Sequence, residues 1–559
     1  MELRGGEIVV SIGDVAGLAS CQWHFVSRLR RTLAGEPEPD PPALPAHISR
    51  LRHRFMDEVA ARYRAALGVM DPEHPHGVFD ASSLAPASRS VRARGEAAER
   101  AGVVVGERLR IDGVEGRVPL SVLIDEGVRV SGVAFSSHVR ARLRLEVGGA
   151  AWLLARGGVD TLTSRALLTL ASGRLVTLTT SRIIDDFDAR LLEARDLIAR
   201  AHTGVFPTWW QVSRVCGECS DCAWAIEAHD DVLAVPGIGL AQRARLLSQG
   251  VHTRRDLVTH PVDGVSTASL ERVRLQVSQR EEAPGPYGPR VLATCERTHR
   301  ALATLPDPAP GDVYFDCEND SVWGWTPEDH TGLIYLAGAL IRAEEGPAPT
   351  GPGVWAPPGV SAPREMTVAP AWEYPAAASL PAGGLARAAG WRYVSWWAHS
   401  REQEAALAHS LISWLEARRR AYPRMRVYHY AAPEPLFIRR LANRHGIDQQ
   451  RARTLTGPRG IFTDLFDVVS ATVRTGQPGA SLKDLEPLYM GAFHRGDLAD
   501  GARSVVLYDR LRETMTTEQL EVRPDALPGV LAELAAYNEY DCVSTLGLHR
   551  WLSAQRVTQ

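Results

Sequence analysis

Residues 313–320 read VYFDCEND. An apolar start runs into a polar end that holds Asp316 and Glu318, two positions apart. Side chains alternate across a strand, so both carboxylates point to the same face. Such a pair alone is usually a solvated strand face. It gains meaning from two later segments. Glu434 follows the strand-like YHYAA at the start of a helix, and YNEYDC sets Tyr537 and Asp541 one helical turn apart. Four carboxylates converging from a strand, a strand end and a late helix can hold two hard divalent cations. Mg²⁺ and Mn²⁺ prefer such oxygen ligands. Paired ions of this kind activate water and stabilise the leaving oxygen in phosphodiester hydrolysis.

The surrounding pattern predicts an α/β domain over residues 300–559. GLIYLAGALI, WRYVSWWAH and MRVYHYA read as strands. REQEAALAHSLISWLEARRRAY, PLFIRRLANRHG and LPGVLAELAAYNEYDCVSTLGLHRWL read as helices. The Pro-, Gly- and Ala-rich stretch at about 344–390 predicts an irregular insertion.

A chain of 559 residues exceeds one hydrophobic core, so a multidomain α/β protein is expected. The predicted divisions are 1–229, 230–299 and 300–559. In the first, ISRLRHRFMDEVAARYRAAL has helical spacing, whereas GVRVSGVAFSSHVRARLRLEV, GRLVTLTT and AAWLLARGG read as strands. In the second, VLAVPGIGLAQRARLL reads as a helix, a glycine-rich turn and a second helix. The amides at Gly237 and Gly239 are then candidates for contact with a DNA phosphate. EEAPGPYGPR reads as a linker. The formal net charge of −3 provides no global basic field, so nucleic-acid binding must rest on local sites. No run of eighteen apolar residues and no basic-then-apolar leader occur, which predicts a cytoplasmic protein without a membrane partner. No phosphate-binding Walker loop is present, which excludes an ATP-driven motor of that type.

Of seven cysteines, three crowd into CGECSDC as Cys216, Cys219 and Cys222, a pattern of metal ligation more than of a disulfide frame.

Together the segments YFDCE, WAHSREQE, VYHYAAPEP, DLFDVV, SLKDLEPLY and YNEYDC resemble the RNase H-like DEDD exonuclease domain of RecB-like nucleases, in its tyrosine variant. The resemblance implies an RNase H-like fold with a mixed sheet. It makes Asp316, Glu318, Glu434 and Asp541 ligands of Mg²⁺ or Mn²⁺, and Tyr537 the residue that orients the attacking water. Glu434 stands where most DEDD enzymes have Asp. His429, Asp464 and Lys483 are possible auxiliaries. Lys483, the single lysine of the chain, follows Ser481, a helix-cap residue, and either contacts a substrate phosphate or pairs with Asp484 or Glu486.

The same family carries a restriction-endonuclease-like PD-(D/E)XK domain stapled by cysteines. Here that implies Cys21 joining Cys216, Cys219 and Cys222 around a [4Fe–4S] cluster, or alternatively a zinc ion. The family's last cysteine lies further on, where this chain reads AWAIEAHDD. The domain's chemistry needs an aspartate and an acidic-x-Lys pair. No lysine precedes Lys483, SGVAFSSH lacks the aspartate, and AAWLLARGG lacks the acidic-x-Lys, although Glu58 remains in HRFMDEV. The front domain is therefore expected to be a degenerate PD-(D/E)XK fold kept as a scaffold or for DNA binding.

The resulting expectation is a metal-dependent nuclease acting on DNA, 3′–5′ on single-stranded ends, in repair, recombination or defence, with a helicase on a separate chain. The alternatives are a non-catalytic nucleic-acid-binding adaptor of a helicase–nuclease complex and an RNA-directed exoribonuclease.

Overall fold

The computed structural model describes residues 1–39, 43–71, 73–93, 99–134, 136, 138–170, 173–235, 238–260, 262–263, 274, 277, 291–292, 296–320, 323, 332–345, 348–357, 382–388, 390–431, 433–474, 481–490 and 501–557. The chain forms two compact units. One is built mainly from Met1–Leu233 and Ile238–Thr253, the other mainly from Arg254–Gly324 and Thr331–Gln559.

The first unit opens with β1 (Glu2–Arg4), β2 (Glu7–Ser11), α1 (Ile12–Gly17) and α2 (Gln22–Ala34). Then follow α3 (Ala43–Leu67), β3 (Val78–Asp80), β4 (Val103–Ile111), β5 (Val114–Ile124), β6 (Gly127–Ala134), α4 (Ala141–Arg156), β7 (Arg165–Leu170), β8 (Leu175–Thr179) and α5 (Thr180–His202). β4, β5 and β6 run antiparallel, and β7 returns parallel to β6 through α4. A parallel return needs a crossover, and α4 supplies it. Met56, Val59 and Ala60 of α3 cover the Val103, Leu120 and Val133 side of the sheet.

AAWLLARGG, expected as a strand, lies on and just after α4, as does the second half of GVRVSGVAFSSHVRARLRLEV. The helix is buried on most of its surface, from Leu145 through Leu154, so it shows little amphipathic period. A short apolar run of this kind does not distinguish a buried helix from a strand.

In the segment expected to hold a helical hairpin, Val232–Ala234 is a single 3₁₀ turn rather than a helix. α6 (Ser220–Ala228) precedes it, and α7 (Leu240–Leu247) and α8 (Arg254–Thr259) follow. Buried Asp231 accepts from Trp209 Nε1 at 2.7 Å and from Arg243 Nη2 at 2.7 Å, which ties α7 down. Gly239 is exposed at the start of α7, whereas Gly237 and the linker EEAPGPYGPR lie outside the described residues.

In the second unit, β10 (Val313–Asp320), β11 (Leu333–Arg342), β12 (Val354–Trp355), β13 (Trp391–Trp397), β14 (Val427–His429) and β15 (Phe462–Asp464) form a six-stranded sheet in the order β12-β13-β11-β10-β14-β15. β9 (Val291–Leu292) lies outside it, paired with residues 473–474. β10, β11 and β13 are antiparallel neighbours, and β14 and β15 continue parallel to β10. β11 is buried along nine consecutive residues, the mark of a strand covered on both faces. One face, with Val313 and Phe315, packs on Leu407, Leu411 and Leu415 of helix Arg401–Ala421 and on Ile438 and Leu441 of helix Pro433–Arg444. The other, with Tyr314, Leu336 and Tyr428, packs on Leu534, Val543 and Leu546 of helix Ala532–Val557. The insertion expected to be irregular contributes β12 and a short helix, Gly384–Ala388, while residues 358–381 lie outside the described residues.

Among the described residues, no helix is long and apolar enough to cross a membrane.

Candidate functional site

Tyr314, Asp316 and Glu318 share one face of β10, as the two-residue period requires. That face looks at helix Ala532–Val557, which carries Asp541. Carboxylate oxygens of Asp316, Glu318 and Asp541 lie within 4.8 Å of one another. The register between β10 and β11 shifts between Glu318 and Asn319, and irregularities of this type often re-aim side chains beside active sites.

Glu318 is buried. It accepts from Ser504 Oγ at 3.0 Å, with the Tyr335 hydroxyl at 3.5 Å. Burial, and next the charge of Asp541, raise its pKa to about 7. Three carboxylates this close repel one another, and a divalent cation among them removes the repulsion. The donor set, all hard oxygen, fits Mg²⁺ or Mn²⁺.

Asn538 holds the group together. Its Nδ2 donates to Asp316 Oδ2 at 2.7 Å, and its Oδ1 accepts from the Tyr393 hydroxyl at 2.8 Å. Gly338 on β11 sits directly opposite Asp316 and makes room for this amide. A Cβ at Gly338 would stand 1.7 Å from Asn538 Oδ1. Sequence reasoning singled out Tyr537 and Asp541 from YNEYDC but missed Asn538 between them. The available signal was a poor helix former inside a long helix. Ser504 and Tyr335 carried no comparable signal. Glu539 of the same segment serves structure. Its carboxylate accepts from the Gly383 and Ala386 amides, both at 2.6 Å, at the start of helix Gly384–Ala388.

The structure does not bring Glu434 into this group. Its Oε2 lies 3.0 Å from His429 Nδ1, which also meets the Ala431 carbonyl at 2.7 Å. The reason is the sheet's layering. Along β14, Val427 packs with the layer of helix Pro433–Arg444, and Tyr428 with the layer of helix Ala532–Val557. His429 therefore shares the side of Val427, and Glu434 at the start of helix Pro433–Arg444 joins it there. Burial opposes charge on His429, but the Glu434 carboxylate outweighs it and raises the imidazole above its usual range.

The other auxiliary candidates are engaged locally. Asp464 caps helix Leu465–Thr472, accepting from the Phe466 and Ala431 amides at 2.9 Å. Lys483 is exposed on the turn Leu482–Leu485, which a capping box between Ser481 and Asp484 starts. Glu486 is buried and accepts from Ser544 Oγ at 2.9 Å and Tyr540 Oη at 3.2 Å. Tyr537 is buried one turn before Asp541.

A second cluster lies in the first unit. Sulfurs of Cys21, Cys216, Cys219 and Cys222 lie within 4.8 Å of one another. Cys21 caps α2 and Cys219 caps α6, so their sulfurs accept backbone N–H groups of His24 at 3.3 Å and Cys222 at 3.4 Å.

A comparison with family models adds one finding. Residues 384–553 match the RNase H superfamily. The second unit thus carries an RNase H-like domain within a mixed α/β multidomain chain. The match includes Asp541 and begins after β10, so Asp316 and Glu318 lie outside it. No curated protein matches the chain.

A metal held by these carboxylates would displace the proton of Glu318, so apparent Mn²⁺ affinity is expected to rise about tenfold per pH unit below about 7 and to level off above. Calorimetric titrations between pH 5.5 and 8.5 check this, and a flat profile contradicts it.

Proposed function

We propose that the chain is a divalent-metal-dependent nuclease whose chemistry is carried by the second unit. The observation that supports this is the convergence of Asp316, Glu318 and Asp541 on the face of β10, in a unit with an RNase H superfamily match. In this reading Asp316, Glu318 and Asp541 would hold the metal, which would supply activation of water and stabilisation of the leaving oxygen. Asn538 fixes Asp316 and Ser504 fixes Glu318, so the ligands need little rearrangement when the substrate arrives. Tyr537 orients the attacking water. The substrate is DNA, cleaved 3′–5′ from single-stranded ends, with a helicase supplied by a separate chain.

The first unit is a degenerate PD-(D/E)XK scaffold in this reading. The succession α3-β4-β5-β6-α4-β7 supports that assignment. The consecutive antiparallel strands β5 and β6 carry a single carboxylate, Glu115, which is bound to Arg4, Arg108 and Arg110. Glu58 is exposed on α3.

A second reading, a nucleic-acid-binding adaptor, is favoured by one observation. With Glu434 paired to His429, three carboxylates rather than four converge. The full chain should be incubated with Mn²⁺ and end-labelled single-stranded DNA, duplex DNA and RNA. The proposal expects shortening of single-stranded DNA from its 3′ end. Metal-independent binding without cleavage of any substrate supports the adaptor, and faster cleavage of RNA reassigns the substrate.

A further inference from the structure

Four cysteines that bind a [4Fe–4S] cluster each ligate a different iron of its cube, with their sulfurs directed outward. Those sulfurs therefore stand further apart than sulfurs that share one ion. Four sulfurs around one zinc, with bonds of about 2.3 Å, stand about 3.8 Å apart by tetrahedral geometry. In the first unit the separations are 3.4 Å for Cys21–Cys222, 3.8 Å for Cys216–Cys222 and 4.0 Å for Cys21–Cys219. All four sulfurs lie within 4.8 Å of one another, which fits one ion and leaves too little room for four irons and their bridging sulfides.

The backbone around them agrees. Cys216 Sγ accepts from the amides of Glu218 at 3.5 Å and Cys219 at 3.3 Å. The chain folds back there through Gly217 at a φ of 76°, a conformation that favours glycine. Cys219 Sγ accepts from Cys222 N at 3.4 Å, and Cys21 Sγ from His24 N at 3.3 Å. Each of these bonds stabilises sulfur as thiolate, the form that binds metal. Outside the sulfurs, His24 Nδ1 lies 2.6 Å from Asp221 Oδ2, and Arg31 Nη1 donates to Asp221 Oδ1 at 2.7 Å. His24 and Asp221 each have an atom within 4.8 Å of Cys219 Sγ, so this basic–acidic chain abuts the site. His24 and Arg31 thereby hold Asp221 beside Cys219 as outer partners of the site.

We propose that Cys21, Cys216, Cys219 and Cys222 hold a single tetrahedral zinc ion, in place of the iron–sulfur cluster that the family resemblance implies. The site joins the start of α2 to the start of α6, residues about two hundred positions apart, and is structural and redox-inactive. It is independent of the chemistry proposed for the second unit.

The test is metal and sulfide analysis of the full chain purified anaerobically from medium containing both iron and zinc. The expected result is one zinc per chain, no acid-labile sulfide and no broad absorption in the visible range. Titration with a mercurial should release that zinc as four thiols react. Cobalt replacement should give the intense visible bands of a tetrahedral thiolate site. Four irons with four sulfides per chain overturn the proposal, and one iron without sulfide overturns the choice of zinc. Cys219→Ser is expected to retain well under one zinc per chain, and full retention overturns the proposal. If that variant fails to fold, His24→Gln serves instead, with faster loss of zinc to a chelator expected than from the unaltered chain. An unchanged rate contradicts the role given to His24.

Discussion

Asp541→Asn is expected to stabilise the metal-free protein while abolishing its activity. Burial and the nearby Asp541 charge raise Glu318 from 4.5 to about 7. The folded state therefore holds a proton that the unfolded state has lost between about pH 4.5 and 7. In that window the contribution of Glu318 to stability falls as pH rises. Glu539, raised to about 7 by burial, and Asp312, raised to about 6 chiefly by burial, act in the same direction. Removing the Asp541 charge lowers the pKa of Glu318, and each unit recovered is worth about 1.4 kcal/mol. At pH 7.5 without metal, a gain on the order of 1 kcal/mol is expected in urea unfolding. With Mn²⁺ the order reverses. The unaltered chain gains stability through binding and the variant gains none. Hydrolysis should fall by at least about 10²–10³-fold, the scale of losing one preorganised electrostatic group. A variant that is less stable than the parent without metal, yet still responds to Mn²⁺, contradicts the account.

Gly338→Ala should damage stability and metal binding together. Its Cβ would lie 1.7 Å from Asn538 Oδ1 and 2.8 Å from the Tyr393 ring and hydroxyl. Asn538 cannot give way without releasing Asp316, and Tyr393 is a fully buried member of the core. Overpacking at such a place costs about 1–3 kcal/mol, and loss of an outer partner weakens metal affinity about 10–100-fold. Gly529→Ala is the control, because its Cβ would meet nothing within 4 Å. It should change stability by less than about 0.5 kcal/mol. Equal unfolding midpoints and equal Mn²⁺ affinities for the two variants would rule out the clamp assigned to Asn538.

The residues differ in how plainly their sequence announces their place. VYFDCEND was legible because a two-residue period and a polar end define a strand with its carboxylates on one face. YNEYDC was legible as a helix because Tyr537 and Asp541 repeat at one turn. Glu434 was not, because the side of a sheet that a residue takes after a strand depends on a one-residue register. The pairing of Glu434 with His429 fixes that side only once β14 is placed. AAWLLARGG misled for the opposite reason. A helix buried between other elements loses the polar stripe that marks its period. Asn538 acquires a role only when β11 brings Gly338 opposite Asp316 and the last helix packs on both. The Asn538–Asp316 contact joins residues 222 positions apart, which no local pattern encodes.

In the proposed function the carboxylates of β10 and the last helix hold a metal for phosphodiester cleavage. The most direct measurement is single-turnover cleavage of 3′-terminal single-stranded DNA with Mn²⁺, comparing the full chain with Asp316→Asn, an isosteric change that keeps the fold. The account predicts Mn²⁺-dependent cleavage by the parent and a loss of at least about 10²-fold in the variant, with both chains equally folded. Equal cleavage rates for parent and variant would contradict it.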